Sequence, residues 1–138
     1  MAADVAAFAF LEGAMQVLLV RRRYEPYESY WALPGGGLHP DETLEQAAER
    51  ELREETGLTA TTWTELCRLD LSNSVTDETG VLFVATGLTA GASAPEPTES
   101  LDVRWVPFDE ALAMTLDGRI TDSMSLIAIQ RVALDRRP

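Results

Sequence analysis

The chain has 138 residues, 46% of them hydrophobic, and a formal net charge of −12. That length suits one domain spanning 1–138 and burying about two-thirds of its unfolded surface, while the negative balance excludes a nucleic-acid polymer as partner, because phosphate backbones are held by Lys and Arg clusters. No apolar run approaches the ~18 residues of a membrane span, and the N-terminus lacks a basic segment followed by a hydrophobic block, so no membrane partner is expected and a cytoplasmic location is.

Val5 to Leu11 and Met15 to Val20 are apolar runs separated by the turn signal Glu12-Gly13, which predicts two adjacent core strands. Arg21, Arg22 and Arg23 follow at the end of the second strand, where guanidinium groups suit substrate phosphates. Tyr24 to Trp31 is an aromatic loop interrupted by Pro26, and Tyr27, Tyr30 and Trp31 are candidates to stack on a nucleobase. Glycines 35–37 come next; without Cβ atoms, Gly36 and Gly37 let the backbone approach a phosphate or a metal. His39 reads as exposed.

A helix is predicted from about Thr43 to Thr56, with Asp41 as N-cap and Gly57 as a left-handed stop. At about 100° per residue, Leu44, Ala47, Ala48 and Leu52 form an apolar stripe and Glu45, Gln46, Glu49 and Arg53 a wet face. Glu51 and Glu55 fall inside the stripe and Glu54 on its edge. Like charges at this spacing repel by roughly 0.2–0.5 kcal/mol per pair, and the C-terminal end of a helix disfavours anions, so a cation is required. Three glutamates on one rigid turn suit a hard divalent ion, Mg²⁺ or Mn²⁺, with Arg50 steadying them as an adjacent hydrogen-bond partner.

Farther on, Ala60 to Leu71 and Val81 to Leu88 read as strands, and Thr89 to Thr98 as a flexible loop by composition. Val103 to Val106 is a short strand. Pro107-Phe108-Asp109 opens a helix that ends at Gly118, and Thr121 or Asp122 caps a last helix whose inner side is read as Met124, Ile127, Ala128, Arg131, Val132 and Leu134. Cys67 is the single cysteine and reads as a small buried hydrophobe.

Gly36, Glu42, Arg50-Glu51-Leu52, Glu54-Glu55 and Gly57-Leu58 stand at the fixed positions of the Nudix box, and in this the chain resembles the Nudix hydrolase family. Val75-Thr76-Asp77-Glu78, Ala85-Thr86-Gly87-Leu88, Trp105-Val106-Pro107 and the run from Asp117 to Ser123 extend the resemblance to the ADP-ribose pyrophosphatase branch. That branch usually reads Leu-Pro-Ala-Gly where this chain has Leu33-Pro34-Gly35-Gly36.

The resemblance implies an α/β fold, an α/β/α sandwich around a mixed β-sheet, and a metal-dependent hydrolase of a nucleoside diphosphate linked to another group. Carried over residue by residue, Glu51, Glu54 and Glu55 would be metal ligands together with the Gly35 carbonyl, and Arg50 their orienting partner. A base is also needed for the attacking water. Glu99, at the end of the loop, is the candidate, because many relatives place a late-loop glutamate near the metals; Glu96 and Glu51 are alternatives. The expected substrate is a small nucleotide, ADP-ribose or another nucleoside diphosphate sugar. The rivals are an oxidised or normal nucleoside triphosphate and a non-catalytic nucleotide-binding regulatory domain, against which the intact glutamate set and the lack of an appended DNA-binding segment argue. A homodimer is the default assembly.

Overall fold

The computed structural model describes residues 1–11, 13–22, 30–91 and 101–136. Among these residues, seven strands and three helices follow in the order β1 (Ala2–Leu11), β2 (Ala14–Arg22), β3 (Trp31–Ala32), β4 (Gly35–Gly37), α1 (Leu44–Thr56), β5 (Leu58–Asp70), β6 (Thr79–Ala90), β7 (Leu101–Pro107), α2 (Phe108–Asp117) and α3 (Ser123–Asp135). The long strands and all three helices lie within a few residues of the positions expected from sequence. The two-residue β3 and the glycine strand β4 were not foreseen, since neither has the alternation that marks a strand.

The strands form one mixed sheet in the order β3-β2-β1-β6-β5, with β4 added to β1 and β7 to β2. Strand β1 organises it. Its first half runs parallel to β6 from Ala2↔Gly80 to Ala7↔Ala85 and antiparallel to β4 from Ala2↔Gly37 to Asp4↔Gly35, while its second half pairs with β2 from Phe8↔Val17 onward. One strand thereby changes neighbours along its length, with the glycine strand beside its first residues and β2 beside its last.

Side-chain alternation divides the interior into two layers. Ala3, Val5 and Ala7 of β1 join Leu18, Val81, Phe83 and Ala85 under Ala47, Ala48 and Leu52 of α1. Ala6 and Phe8, on the opposite face, join Val17, Leu19 and Leu82 under Phe108, Ala111 and Met114 of α2 and Met124, Ala128 and Ile129 of α3. Helices cover both faces, which is the expected α/β/α sandwich.

Two local expectations are corrected. Asp41 is not the N-cap of α1; it stands at φ 65°, and Thr43 caps the helix in a reciprocal box in which Thr43 Oγ1 accepts from the Gln46 N–H and the Gln46 side chain accepts from the Thr43 N–H. The inner face of α3 is also rotated from the expected one: Met124, Ser125, Ala128 and Ile129 are buried, whereas Ile127, Arg131 and Leu134 are exposed. The reason is Ser125. Its Oγ accepts from the Leu33 N–H at 3.0 Å and donates to Asp122 Oδ2 at 2.7 Å, so this face must point inward despite its hydroxyl.

Ser125→Ala is therefore expected to leave the buried Leu33 N–H without a partner. Such a loss costs about 1–3 kcal/mol and lowers the melting temperature by several degrees. Thermal and urea denaturation check it; an unchanged midpoint would mean that another acceptor takes over the Leu33 N–H.

Candidate active site

The chain leading into the glycine strand is fixed at three points. The Trp31 N–H bonds the Arg119 carbonyl at 3.2 Å, the Leu33 N–H bonds Ser125, and the Pro34 carbonyl accepts from the Val5 N–H at 2.8 Å. With its lead-in clamped, β4 runs along β1 and meets the last turns of α1 at contact distance. A Cβ on Gly36 would stand 2.7 Å from Glu51 Cδ and nearer still to Oε1; one on Gly35 would stand 2.6 Å from the Ala3 carbonyl oxygen and nearer still to Asp4 Oδ1. Glycine is required here by close approach, not by backbone angle.

Arg50 is the hub of the charges. Its Nε and Nη2 donate to Glu42 Oε2 and Oε1 at 2.8 and 3.0 Å, Nη2 also reaches the Gly37 carbonyl at 3.0 Å, and Nη1 donates to Glu51 at 2.9 Å and to Glu54 at 3.4 Å. The guanidinium fork can satisfy this many acceptors because its five N–H groups lie in one plane. Glu42 is held down to about 2, first by this hydrogen bond and then by the His39 N–H. Arg50 is held well above its ordinary range, chiefly by Glu42. Glu55 stands apart from the hub, and its Oε2 accepts from the Gly35 N–H at 3.2 Å.

Asp4 completes the acidic ground. It is in phase with Ala6 and Phe8 along β1 and faces Gly35, and its carboxyl is pushed well above the usual carboxylate range by burial first, then by Asp122 and Glu51. One guanidinium thus serves three carboxylates, with Glu55 and Asp4 close by. Among the described residues around β4 and the end of α1, acids outnumber arginines.

The family model of the NUDIX domain matches residues 2–125. This chain belongs to the Nudix family. It is 36% identical over 105 residues to the ADP-ribose pyrophosphatase of Mycobacterium tuberculosis, covering 74% of this chain and 51% of that protein. It is 33% identical over 122 residues to the ADPR responsive transcriptional repressor NtrR of Acinetobacter baylyi, covering 84% of this chain and 48% of that protein. The chain therefore spans about half the length of these two relatives. Among solved structures it is similar to the NUDIX domain of Shewanella oneidensis NrtR complexed with ADP ribose, with a TM-score of 0.75 and 25% identity over 99% of this chain and 87% of that one.

Within this Nudix fold the residues expected from sequence are distributed unevenly. Gly35, Gly36, Arg50, Glu51 and Glu54 meet at the junction of β4 and α1, with Glu55 on the Gly35 N–H. Glu51 and Glu54 turn toward Arg50, and among the described residues no three acidic, histidine or cysteine side chains form a closed metal-holding set. The cation that the three helix carboxylates need is supplied in part by Arg50 itself.

The substrate candidates upstream fare differently. Arg21 is engaged by Asp102, with Nη2 donating to Oδ2 at 2.8 Å, and its guanidinium lies over the Trp31 ring. Trp31 is only 7% exposed and packs into the core, which leaves little of its ring for a nucleobase. Tyr30 is 46% exposed. The Arg22 side chain, Arg23, Tyr27, Glu96 and Glu99 lie outside the described residues, as does most of the loop expected from Thr89 to Thr98.

Sequence reasoning missed two participants and one connection. Glu42 was noted as a box position, but it precedes the helix, so helical spacing does not connect it with Arg50. Asp4 is the one acid in an otherwise apolar strand, and Ser125 a hydroxyl on an apolar helix face; each was a visible irregularity.

Proposed function

We propose that this Nudix chain hydrolyses the pyrophosphate bond of ADP-ribose or a closely related nucleoside diphosphate sugar, using Mg²⁺ or Mn²⁺. The observation that carries the reading is the meeting of β4 and α1, where a Cβ-free strand lies directly on the Glu51 carboxylate and hydrogen-bonds Glu55. The activity for which the mycobacterial relative is named and the ADP ribose in the Shewanella complex support the substrate class.

The donors fit a hard cation: all are oxygens, with three half-buried carboxylates within one helical turn beside the glycine strand, and Arg50, already shared with Glu42, does not by itself neutralise Glu51 and Glu54. Glu51, Glu54, Glu55 and Gly35 would hold it. When bound, it would neutralise charge developing on the diphosphate and lower the pKa of an attacking water.

The remaining steps belong to the chain's own residues. Arg50 holds Glu51 and Glu54 in one orientation, Gly36 makes room for the Glu51 carboxylate, and Gly37, with open space beside it, leaves room for phosphate oxygens next to the backbone. Water adds to one phosphorus, the bridging P–O bond breaks, and the water proton passes to a carboxylate, for which Glu99 is the candidate. The products are a nucleoside monophosphate and a sugar phosphate.

A second reading, an ADP-ribose-binding domain without turnover, is favoured by one observation, the similarity to the NtrR repressor. A substrate panel tests both: kcat/KM for ADP-ribose, other nucleoside diphosphate sugars, dinucleoside polyphosphates and normal and oxidised nucleoside triphosphates, under one metal condition. ADP-ribose or another diphosphate sugar is expected to lead. A triphosphate winning by more than about tenfold with release of pyrophosphate, a difference of about 1.4 kcal/mol, would replace this reading with nucleotide-pool sanitising.

A further inference from the structure

The chain must bind a polyanion while carrying −12 itself, so a cation that no carboxylate already occupies is informative. Around the glycine strand the arginines are mostly engaged. Arg50 is shared among Glu42, Glu51 and Glu54; Arg21 is held by Asp102; Arg119 is held by Asp117 and Glu110. Arg53 lies on the wet face of α1, and Arg136, just past the end of α3, stacks on Phe108.

Arg104 differs. It is exposed on β7, and among the described residues no carboxylate pairs with it. Its guanidinium carbon lies 5.0 Å from the centroid of the Trp31 ring. Strand register explains the placement: β7 pairs with β2 so that Arg104 faces Leu19 and Asp102 faces Arg21, while Arg21 also faces Trp31 of β3. Asp102 is thereby drawn to Arg21, and Arg104 is left on the indole with no carboxylate on its N–H groups among the described residues. Stacking of this kind fixes the plane of a guanidinium without consuming its donors.

Trp31 lies four residues before Gly35, so their backbones are at most about 14 Å apart even in a fully extended chain. We propose that Arg104, held on Trp31, binds a phosphate oxygen of the substrate, doing what the sequence suggested for Arg21. This rests on the pyrophosphohydrolase reading. Trp31 then has an indirect part: it presents the guanidinium and does not stack on a base.

The test compares Arg104→Ala, Arg104→Lys and, as a control on the outer face of α3, Arg131→Ala, with ADP-ribose and Mg²⁺. Arg104→Ala is expected to raise KM at least tenfold with kcat within threefold, Arg104→Lys to recover part of the loss as a point charge, and Arg131→Ala to match wild type. The slope of log kcat/KM against ionic strength should also shift in the positive direction in Arg104→Ala, because one attractive charge is gone. Should Arg104→Ala melt below the assay temperature, Arg104→Gln, which keeps a planar group on the indole, replaces it under the same criteria. A KM within twofold of wild type in the folded neutral variant overturns the assignment. If wild type binds ADP-ribose without cleaving it, the hydrolase reading fails by itself, and the same variants are judged by Kd. Wild type that neither binds nor cleaves it overturns both.

Discussion

Glu54→Gln and Glu55→Gln are each expected to lower kcat at least about a hundredfold at saturating Mg²⁺, the scale of losing one strong electrostatic contribution to a transition state. Folding should survive. Both side chains are half-buried, and glutamine keeps an oxygen that can accept from Arg50 in one case and from the Gly35 N–H in the other. Sequence reasoning alone predicts a higher melting temperature for such variants, because repulsion of roughly 0.2–0.5 kcal/mol per pair is relieved. The structure reduces that expectation for Glu54, since its charge also pairs with Arg50 at 3.4 Å, and the two effects oppose each other. Turnover and melting of each variant are the measurements, and near-wild-type kcat in both would remove the helix carboxylates from the chemistry.

The second large effect is expected at the glycine strand, where two neighbouring substitutions should separate activity from stability. In Gly36→Ala the new methyl meets the Glu51 carboxylate, the end of a side chain, so the protein should fold and lose activity by at least about tenfold as Glu51 is pushed off its place beside Arg50. In Gly35→Ala it meets the Ala3 carbonyl oxygen at 2.6 Å as well as Asp4, and backbone cannot step aside without parting β4 from β1. Overpacking of this sort costs about 1–3 kcal/mol, a drop of several degrees or more in melting temperature. Equal melting temperatures for the two variants would contradict the backbone clash at Gly35, and full activity in Gly36→Ala would contradict the tight seating of Glu51.

These two cases show what a linear reading captures. The α1 stripe of Ala47, Ala48 and Leu52 was legible because helical periodicity is strong there; Glu51 and Glu55, read as inside that stripe, and Glu54, read as on its edge, are all half-buried. The left-handed stop at Gly57, at φ 76°, was legible for the same local reason. The capping box was overlooked although Thr43 and Gln46 spell it, because Asp41 offered an equally plausible cap two residues earlier.

What lay beyond reach depends on long-range register. No local pattern shows that β1 changes partners along its length, and therefore none shows that Gly35 lies against Asp4. Nor does the sequence reveal that Asp102 takes Arg21 and leaves Arg104 on Trp31, since strands β2 and β7 are some 80 residues apart in the chain: the Arg21–Asp102 pair alone spans 81 positions. Tandem arginines after a strand were the natural choice for phosphate contact; pairing across the sheet sets Arg21 against Asp102. The inner face of α3 was misread because burial there follows a hydroxyl that anchors Leu33, and an apolar count cannot register it.

The most direct measurement is product analysis of ADP-ribose incubated with the purified chain, with Mg²⁺ and with chelator. Metal-dependent appearance of AMP and ribose 5-phosphate in equal amounts, abolished by chelation and by Glu54→Gln, is the predicted result. ADP-ribose recovered intact at every metal concentration while remaining bound to the protein would contradict catalysis and leave a Nudix domain that only senses its ligand.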